Sequence, residues 1–353
     1  MDRLRGINLG GWMSQLDAIQ EKDPEKFTNV DYHMRHFMGP DDLTRIAKWG
    51  LNHVRLPIDH ELFFDEQGNP IKSRFSFLDD AIAAALANRL TVILDLHKCP
   101  GHTFHDPDKQ VQPLFLDETY VHLTIKVWQY LAERYSGFAN MIFEVLNEPV
   151  APTAEIWNRV KDQLCGAIRE AAGNVPIVVG SNMWNWPSTY SEMTPVDDDN
   201  VIYCFHFYEP LLFTHQRAPW MPEPEFQLTY DYPDNYGDGV VRQFDMIMSQ
   251  GIWDRRRIEK ELAPVVAFRD KHNVSVICNE FGVFAGVPRG PQLHWMNDFL
   301  SVLKKADIGF SYWNYKNLDF GIISRGESLH AHRSRYNHPQ RVDLKMVELL
   351  NKY

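Results

Sequence analysis

Short apolar runs that read as β-strands alternate with longer stretches of helical periodicity along this chain, and that alternation constrains its fold more than any other feature. The runs are Gly6–Gly10, Asn52–Leu56, Thr91–Leu96, Met141–Asn147, Ile177–Gly180, Val201–Phe207, Ser275–Glu280 and Phe310–Trp313. Several, such as VILDL and VSVIC, are continuously apolar, the mark of strands covered on both faces. Between them lie helical patterns. Pro40-Asp41-Asp42 opens one with Leu43, Ile46 and Ala47 on a single face, and Gly50 stops it. Thr153 caps another, with Ile156, Val160, Leu164 and Ile168 in register and Gly173 beyond its end. The spacing predicts further helices over 76–87, 118–135, 256–272, 292–306 and 340–350. Strand-then-helix alternation implies parallel strands joined by right-handed crossovers. Eight strands predict a closed α/β barrel, the (β/α)8 or TIM barrel, as a single domain over residues 1–353.

Two segments exceed a normal strand-to-helix loop: 13–39, after the first strand, and 208–255, after the sixth. The second is rich in Tyr, Trp, Pro and Phe, which argues against disorder. Both belong to the C-terminal face of the barrel, where barrel active sites lie, and are expected to wall a cleft there.

Composition excludes more than it identifies. A net charge of -11 speaks against a nucleic-acid partner, whose binders need a basic face. No run reaches the length of a membrane span, so no membrane partner is expected. The opening MDRLRGINLGG lacks the apolar stretch of a secretory signal. The expected location is therefore cytoplasmic for the chain as given, or secreted if a signal once preceded it. Cys99, Cys165, Cys204 and Cys278 form no CxxC pair, and buried free thiols are expected.

The chemistry gathers where the apolar strands end. Arg55 closes the second in NHVRLP, and His97 the third in LDLHK. Asn147 and Glu148 close the fourth in FEVLNEP, and His206 and Tyr208 the sixth in CFHFYEP. Glu280 closes the seventh in VICNEFG, and Trp313 the eighth in GFSYWNY. Singly, each has a structural reading: an ion pair, a satisfied core histidine, a turn. Six strand ends converging on one rim are harder to assign to structure alone.

This set resembles glycoside hydrolase family 5, the cellulase-type family of retaining β-glycosidases, and is most similar to its small single-domain β-glucanases. GINLGGW, GLNHVRLP, LDLHK, LNEP, HFY, NEFG and the strand-eight Trp carry the resemblance, from residue 6 to 317. It implies Glu148 as general acid/base and Glu280 as nucleophile, with no metal and no cofactor. It implies that Asn147 meets the sugar 2-hydroxyl, that Arg55 and Tyr208 hold Glu280, and that His97 and His206 shape the pocket. Trp313 becomes the floor of the subsite before the scissile bond. Retaining hydrolysis agrees: it needs two carboxyls about 5–5.5 Å apart, one protonated and one ionised. Arg55 beside Glu280 would keep the nucleophile charged, and that charge would raise Glu148.

The implied substrate is a β-linked glucan or gluco-oligosaccharide, β-1,4 or mixed β-1,3-1,4, cleaved by an enzyme acting as a monomer. The same frame serves exo-acting β-glucosidases, β-1,3-glucosidases, mannanases, mannosidases and transglycosylases, and loops choose among them. The loop at 13–39, with Lys22, Asp23, Glu25, Lys26, Tyr32, His33, Arg35 and His36, is expected to close part of the glycone side and to favour short chains. Trp184 and Trp186 are either sugar platforms or ordinary packing; so is Trp220, with packing favoured. Trp12 is assigned to the core, and His102, His105 and His215 are loop histidines within reach of a substrate. Rival readings are a glycan-binding barrel without catalysis and a metal-dependent hydrolase using His97 and His206; the first strand's NLGG in place of HxH weakens the latter.

Overall fold

The computed structural model describes residues 3–22, 29–103, 112–242, 246–323 and 342–353. Eight parallel strands close into a barrel: β1 Arg5–Asn8, β2 His53–Asp59, β3 Thr91–Lys98, β4 Met141–Glu144, β5 Ile177–Gly180, β6 Val201–Phe207, β7 Ser275–Phe281 and β8 Gly309–Tyr312. Each pairs with its sequence neighbours, and β1 closes the ring by pairing with both β2 and β8.

The alternation of side chains along each strand explains both core and site. Ile93, Ile142, Ile202, Cys204 and Ile277 form a small buried cluster with Leu4 and Val178. Two residues on, and four in the case of His97, the same parity carries Asp95 and His97 on β3, Glu144 on β4 and His206 on β6. The barrel interior is thus apolar low down and polar at its C-terminal end. The opposite parity, including Val54, Leu56, Val92 and Leu94, joins the larger core with Leu78, Ile82, Val127 and Leu131 of the surrounding helices. Each such aliphatic side chain contributes about 1.5–3 kcal/mol when fully buried. On β7 the register against β6 shifts between Cys278 and Glu280. Bulges of this kind re-aim side chains beside active sites; here the shift lets Asn279 and Glu280 both be buried at the rim.

The outer helices follow their sequence signals. Thr153 Oγ1 accepts from Ile156 N ahead of the helix Ala154–Ala172, and Gly173 ends it at φ +59°. Pro40–Lys48, Phe75–Ala87, Glu118–Tyr135 and Arg289–Lys305 lie within a few residues of expectation. Two expectations need correction, and the crossover after β5, where the spacing predicts no helix, is short. The stretch over 256–272 is two helices, Arg255–Glu261 and Ala263–His272, because Pro264 starts a new first turn. The crossover after β5 carries only the turn Asn182–Asn185 and a 3-10 turn Pro187–Ser191, since Met183, Trp184 and Asn185 all take left-handed φ. The β4 ladder ends at Glu144, so Asn147 and Glu148 stand just beyond it, with Asn147 N bonded to Leu96 O at 3.1 Å. The last helix is Leu344–Lys352, and the start of its expected span lies outside the described residues.

Among the described residues, both long loops carry short regular elements. The first holds helices Leu16–Lys22 and Val30–His36. Trp12, buried as expected, ties it down by donating to Met34 O at 2.8 Å, and His33 Nε2 meets Gly11 O at 2.7 Å. The second holds a short helix Leu211–Thr214 and two small antiparallel strand pairs. All four cysteines are free and buried. No helix among the described residues is long and apolar enough to cross a membrane.

Candidate active site

Arg55 organises the site. It is fully buried on β2, where an unpaired guanidinium would be prohibitively costly. Its Nε donates to Glu144 Oε2 at 2.7 Å and its Nη2 to Glu144 Oε1 at 2.7 Å, a bidentate fork. Nη2 also donates to Asn147 Oδ1 at 2.8 Å and lies 2.9 Å from Asp95 Oδ2. Nη1 donates to Asn8 Oδ1 and to Glu280 Oε2, each at 3.0 Å. One cation from β2 thereby gathers groups from β1, β3, β4, β7 and the loop after β4.

Glu280 receives a second donor, Tyr208 Oη, at 2.8 Å to Oε1. Burial holds the Tyr208 hydroxyl well above its ordinary value, so it stays a donor. On the facing side His206 Nδ1 lies 2.8 Å from Glu148 Oε1. Glu148 sits at φ +44°, a left-handed conformation rare outside glycine and one that recurs at functional sites. One oxygen of Glu148, one of Glu280 and a ring nitrogen of His206 all lie within 4.8 Å of one another. Three such donors could also hold a metal ion, but Arg55 already places a positive charge 3.0 Å from Glu280.

Burial pushes Glu148 up to about 8; Arg55 opposes this, and Asp95 and Glu144 add to it. Burial also raises Glu280, to about 7, where His206, Arg55 and the Tyr208 hydrogen bond pull it back down while Glu148 raises it. Sequence reasoning credited the neighbouring charges with the separation; desolvation is the larger cause for both. The order is nonetheless the expected one, with Glu148 keeping its proton to higher pH. His206 is pushed down to about 4 by burial, so its ring is neutral near pH 7.

The remaining expected residues fall into two groups. Asn147 is buried, its Oδ1 held by Arg55 and its Nδ2 without a protein partner, available to a ligand. His97 is fixed by Asp95 through a 2.7 Å contact at Nδ1 and lies parallel to the Trp313 ring, centroids 5.8 Å apart. Trp313 in turn packs on Gly10, where an added Cβ would meet its ring at 2.3 Å. These belong to the site. Trp184 and Trp186 stand beside it, half-buried, with rings 5.6 Å apart. Trp220 is 41% exposed and packs against Phe284, while His215 sets its ring 5.2 Å from that of Tyr208. His102 is buried against Phe115, away from solvent, and His105 lies outside the described residues.

Sequence reasoning missed Asn8, Asp95, Glu144 and Asn185. The signal for two was present: a carboxylate inside LDL and inside FEV is a charge in a strand otherwise buried on both faces. Asn185 Nδ2 lies 3.3 Å from His206 Nε2, a contact no strand pattern encodes.

The description "Cellulase (glycosyl hydrolase family 5)" matches residues 19–319. Endoglucanase C of Acetivibrio thermocellus is 32% identical over 331 residues, covering 90% of this chain and 93% of that protein. Cellodextrinase A of Ruminococcus flavefaciens is 30% identical, covering 86% and 83%. Among solved structures, the endoglucanase Cel5A of Thermotoga maritima superposes with a TM-score of 0.75 at 20% identity, over 98% of this chain and 96% of that one, and so shares the fold. With that family match across most of its length, this chain belongs to glycosyl hydrolase family 5, the cellulase family.

Proposed function

We propose that this enzyme cleaves β-1,4-linked glucans and cello-oligosaccharides with retention of configuration, Glu280 acting as nucleophile and Glu148 as acid/base. The observation that carries the reading is the approach of the two carboxyl groups to within 4.8 Å around a buried arginine. Retaining enzymes hold the pair about 5–5.5 Å apart, whereas inverting ones need about 6.5–9.5 Å to seat a water between them. The names of its relatives, endoglucanase and cellodextrinase, support a β-glucan substrate.

In the first step a Glu280 oxygen attacks the anomeric carbon as Glu148 gives its proton to the departing glycosidic oxygen. Arg55 and Tyr208 aim the attacking carboxylate. Esterification removes the charge on Glu280, so Glu148 loses a repulsive neighbour and ionises more readily. It then takes a proton from water, which attacks the glycosyl-enzyme from the face the leaving group vacated. Asn147 Nδ2 donates to the 2-hydroxyl, a bond that strengthens as positive charge develops on the ring. Trp313 lies beneath that sugar. Each chain carries a whole site, so a monomer suffices.

The loop over 13–39 bounds the glycone end, which favours short chains over polymer. Its attachments to the rim support this: Trp12 to Met34, His33 to Gly11, and Lys98 Nζ to Asp17 Oδ2 at 2.7 Å. The stereochemical test is proton NMR of the first product formed from cellotetraose. The β-anomer is expected before mutarotation; first-formed α-anomer would rule out the double displacement.

A further inference from the structure

We propose that Asn185 is a positioning residue that selects the His206 tautomer and thereby decides which oxygen of Glu148 carries the catalytic proton. The inference rests on the reading of Glu148 as acid/base.

A neutral imidazole has one N–H, and the partner of one nitrogen dictates the state of the other. His206 Nδ1 faces Glu148 Oε1 at 2.8 Å and Nε2 faces the Asn185 amide Nδ2 at 3.3 Å. An amide nitrogen only donates, so Nε2 accepts and the ring proton sits on Nδ1. Nδ1–H then donates to Glu148 Oε1 in both protonation states of the carboxyl. Oε1 is committed as an acceptor, and the acid proton is confined to Oε2, the oxygen left to face the leaving group. The opposite tautomer reverses this. Nδ1 would accept from a proton on Oε1, turning the acid away from the glycosidic bond, and its lone pair would oppose the carboxylate needed for the second step.

The placement of Asn185 is built into the fold. Its side chain is fully buried, at the end of three consecutive left-handed residues, Met183, Trp184 and Asn185. Its amide lies where a side chain on β5 would otherwise be: a Cβ on Gly180 would come 2.0 Å from Asn185 Oδ1. Its Nδ2 contact with His206 is at 3.3 Å while its Oδ1 has no hydrogen-bond partner, and Asn279 from β7 also approaches the His206 ring. The charged and titratable groups around Glu148 and His206 are Arg55 from β2, Asp95 and His97 from β3, His102 after β3, which meets the Glu148 backbone, Glu144 from β4, Glu280 from β7 and Tyr208 after β6.

The test compares Asn185→Leu and Asn185→Asp with wild type on two substrates. Cellotetraose needs a proton on its leaving group; 2,4-dinitrophenyl β-cellobioside does not. Rates are taken per active site, counted from the dinitrophenol burst. Because general acid catalysis contributes about 100- to 10,000-fold, losing its direction should cost at least about tenfold in kcat/KM on cellotetraose and only about threefold or less on the activated substrate. The alkaline limb of the cellotetraose profile should move to higher pH, because the carboxylate loses a fixed donor. Asn185→Asp keeps the side-chain shape but offers Nε2 an acceptor, so it should show the same selective loss; if Asn185→Leu fails to fold, this variant carries the test. In wild type labelled with 15N-histidine, the His206 signal, identified by its loss in His206→Gln, should report protonated Nδ1. Equal losses on both substrates, no loss on either, or a proton on Nε2 would overturn the proposal. Glu148→Ala is the control: if it shows the selective loss and the Asn185 variants do not, only this inference falls; if it spares cellotetraose, the assignment of Glu148 itself falls.

Discussion

At the scale of single residues, one arginine sets the terms. Arg55 faces Asp95, Glu144 and Glu280 at salt-bridge distance, more carboxyls than one cation can neutralise in a buried site. The cluster therefore retains protons at neutral pH, and Glu148, pushed up to about 8, holds one longest. In the proposed mechanism the active form has Glu148 protonated and Glu280 ionised. With Glu280 raised to about 7, kcat/KM should fall below neutrality as the nucleophile gains a proton. It should fall again above about pH 8 as the acid loses its own. A pH–rate profile on cellotetraose checks this. Replacing Glu148 with Gln should abolish the alkaline limb in the residual kcat/KM on cellotetraose, and an unchanged limb there would assign it elsewhere.

At the scale of elements, the strand ends were readable because a barrel turns sequence alternation into geometry. Arg55, His97, Glu148, His206, Tyr208, Glu280 and Trp313 all reach the rim where an apolar run gives way to a polar residue. What escaped the sequence was anything set by close approach across the ring. Asn8 on β1 donates to Asn279 O on β7 at 2.9 Å, and Gly10 is small because Trp313, just beyond β8, lies against it. Neither contact leaves a periodic trace in the chain. The split of the helix at 262–263 escaped because a local proline overrides the apolar period. Gly10 offers a prediction at this scale. Its methyl in Gly10→Ala would displace the Trp313 ring, so activity on cellotetraose should drop about tenfold or more, since small misplacements in a site can cost about 100-fold. The melting temperature should fall by only a few degrees, as expected for ~1–2 kcal/mol in a chain of this size. A loss of folding with activity retained per folded molecule would contradict the packing argument.

At the scale of the whole molecule, the barrel supplies a rigid ring, and in the proposed reading the two long loops decide what reaches it. The fold was legible because eight strands with intervening helices admit few other closures. The choice of substrate was not, because it belongs to loops whose conformation depends on side chains from several elements. If the segment over 13–39 bounds the glycone end, chromatography of products should show cello-oligosaccharides consumed faster than carboxymethylcellulose. Polymer viscosity should then fall slowly relative to the release of reducing ends. A rapid viscosity drop with mixed oligomers would instead mean an open cleft and endo action on polymer.

The most direct test of the central assignment is chemical rescue of Glu280→Ala with azide on 2,4-dinitrophenyl β-cellobioside. Removing the nucleophile should abolish turnover and leave a space that azide can enter from the same face. Azide is expected to restore dinitrophenol release and to yield the α-cellobiosyl azide, a product of single inversion. A Glu280→Ala enzyme that keeps turning over without azide, or that yields the β-azide, would show that Glu280 is not the nucleophile.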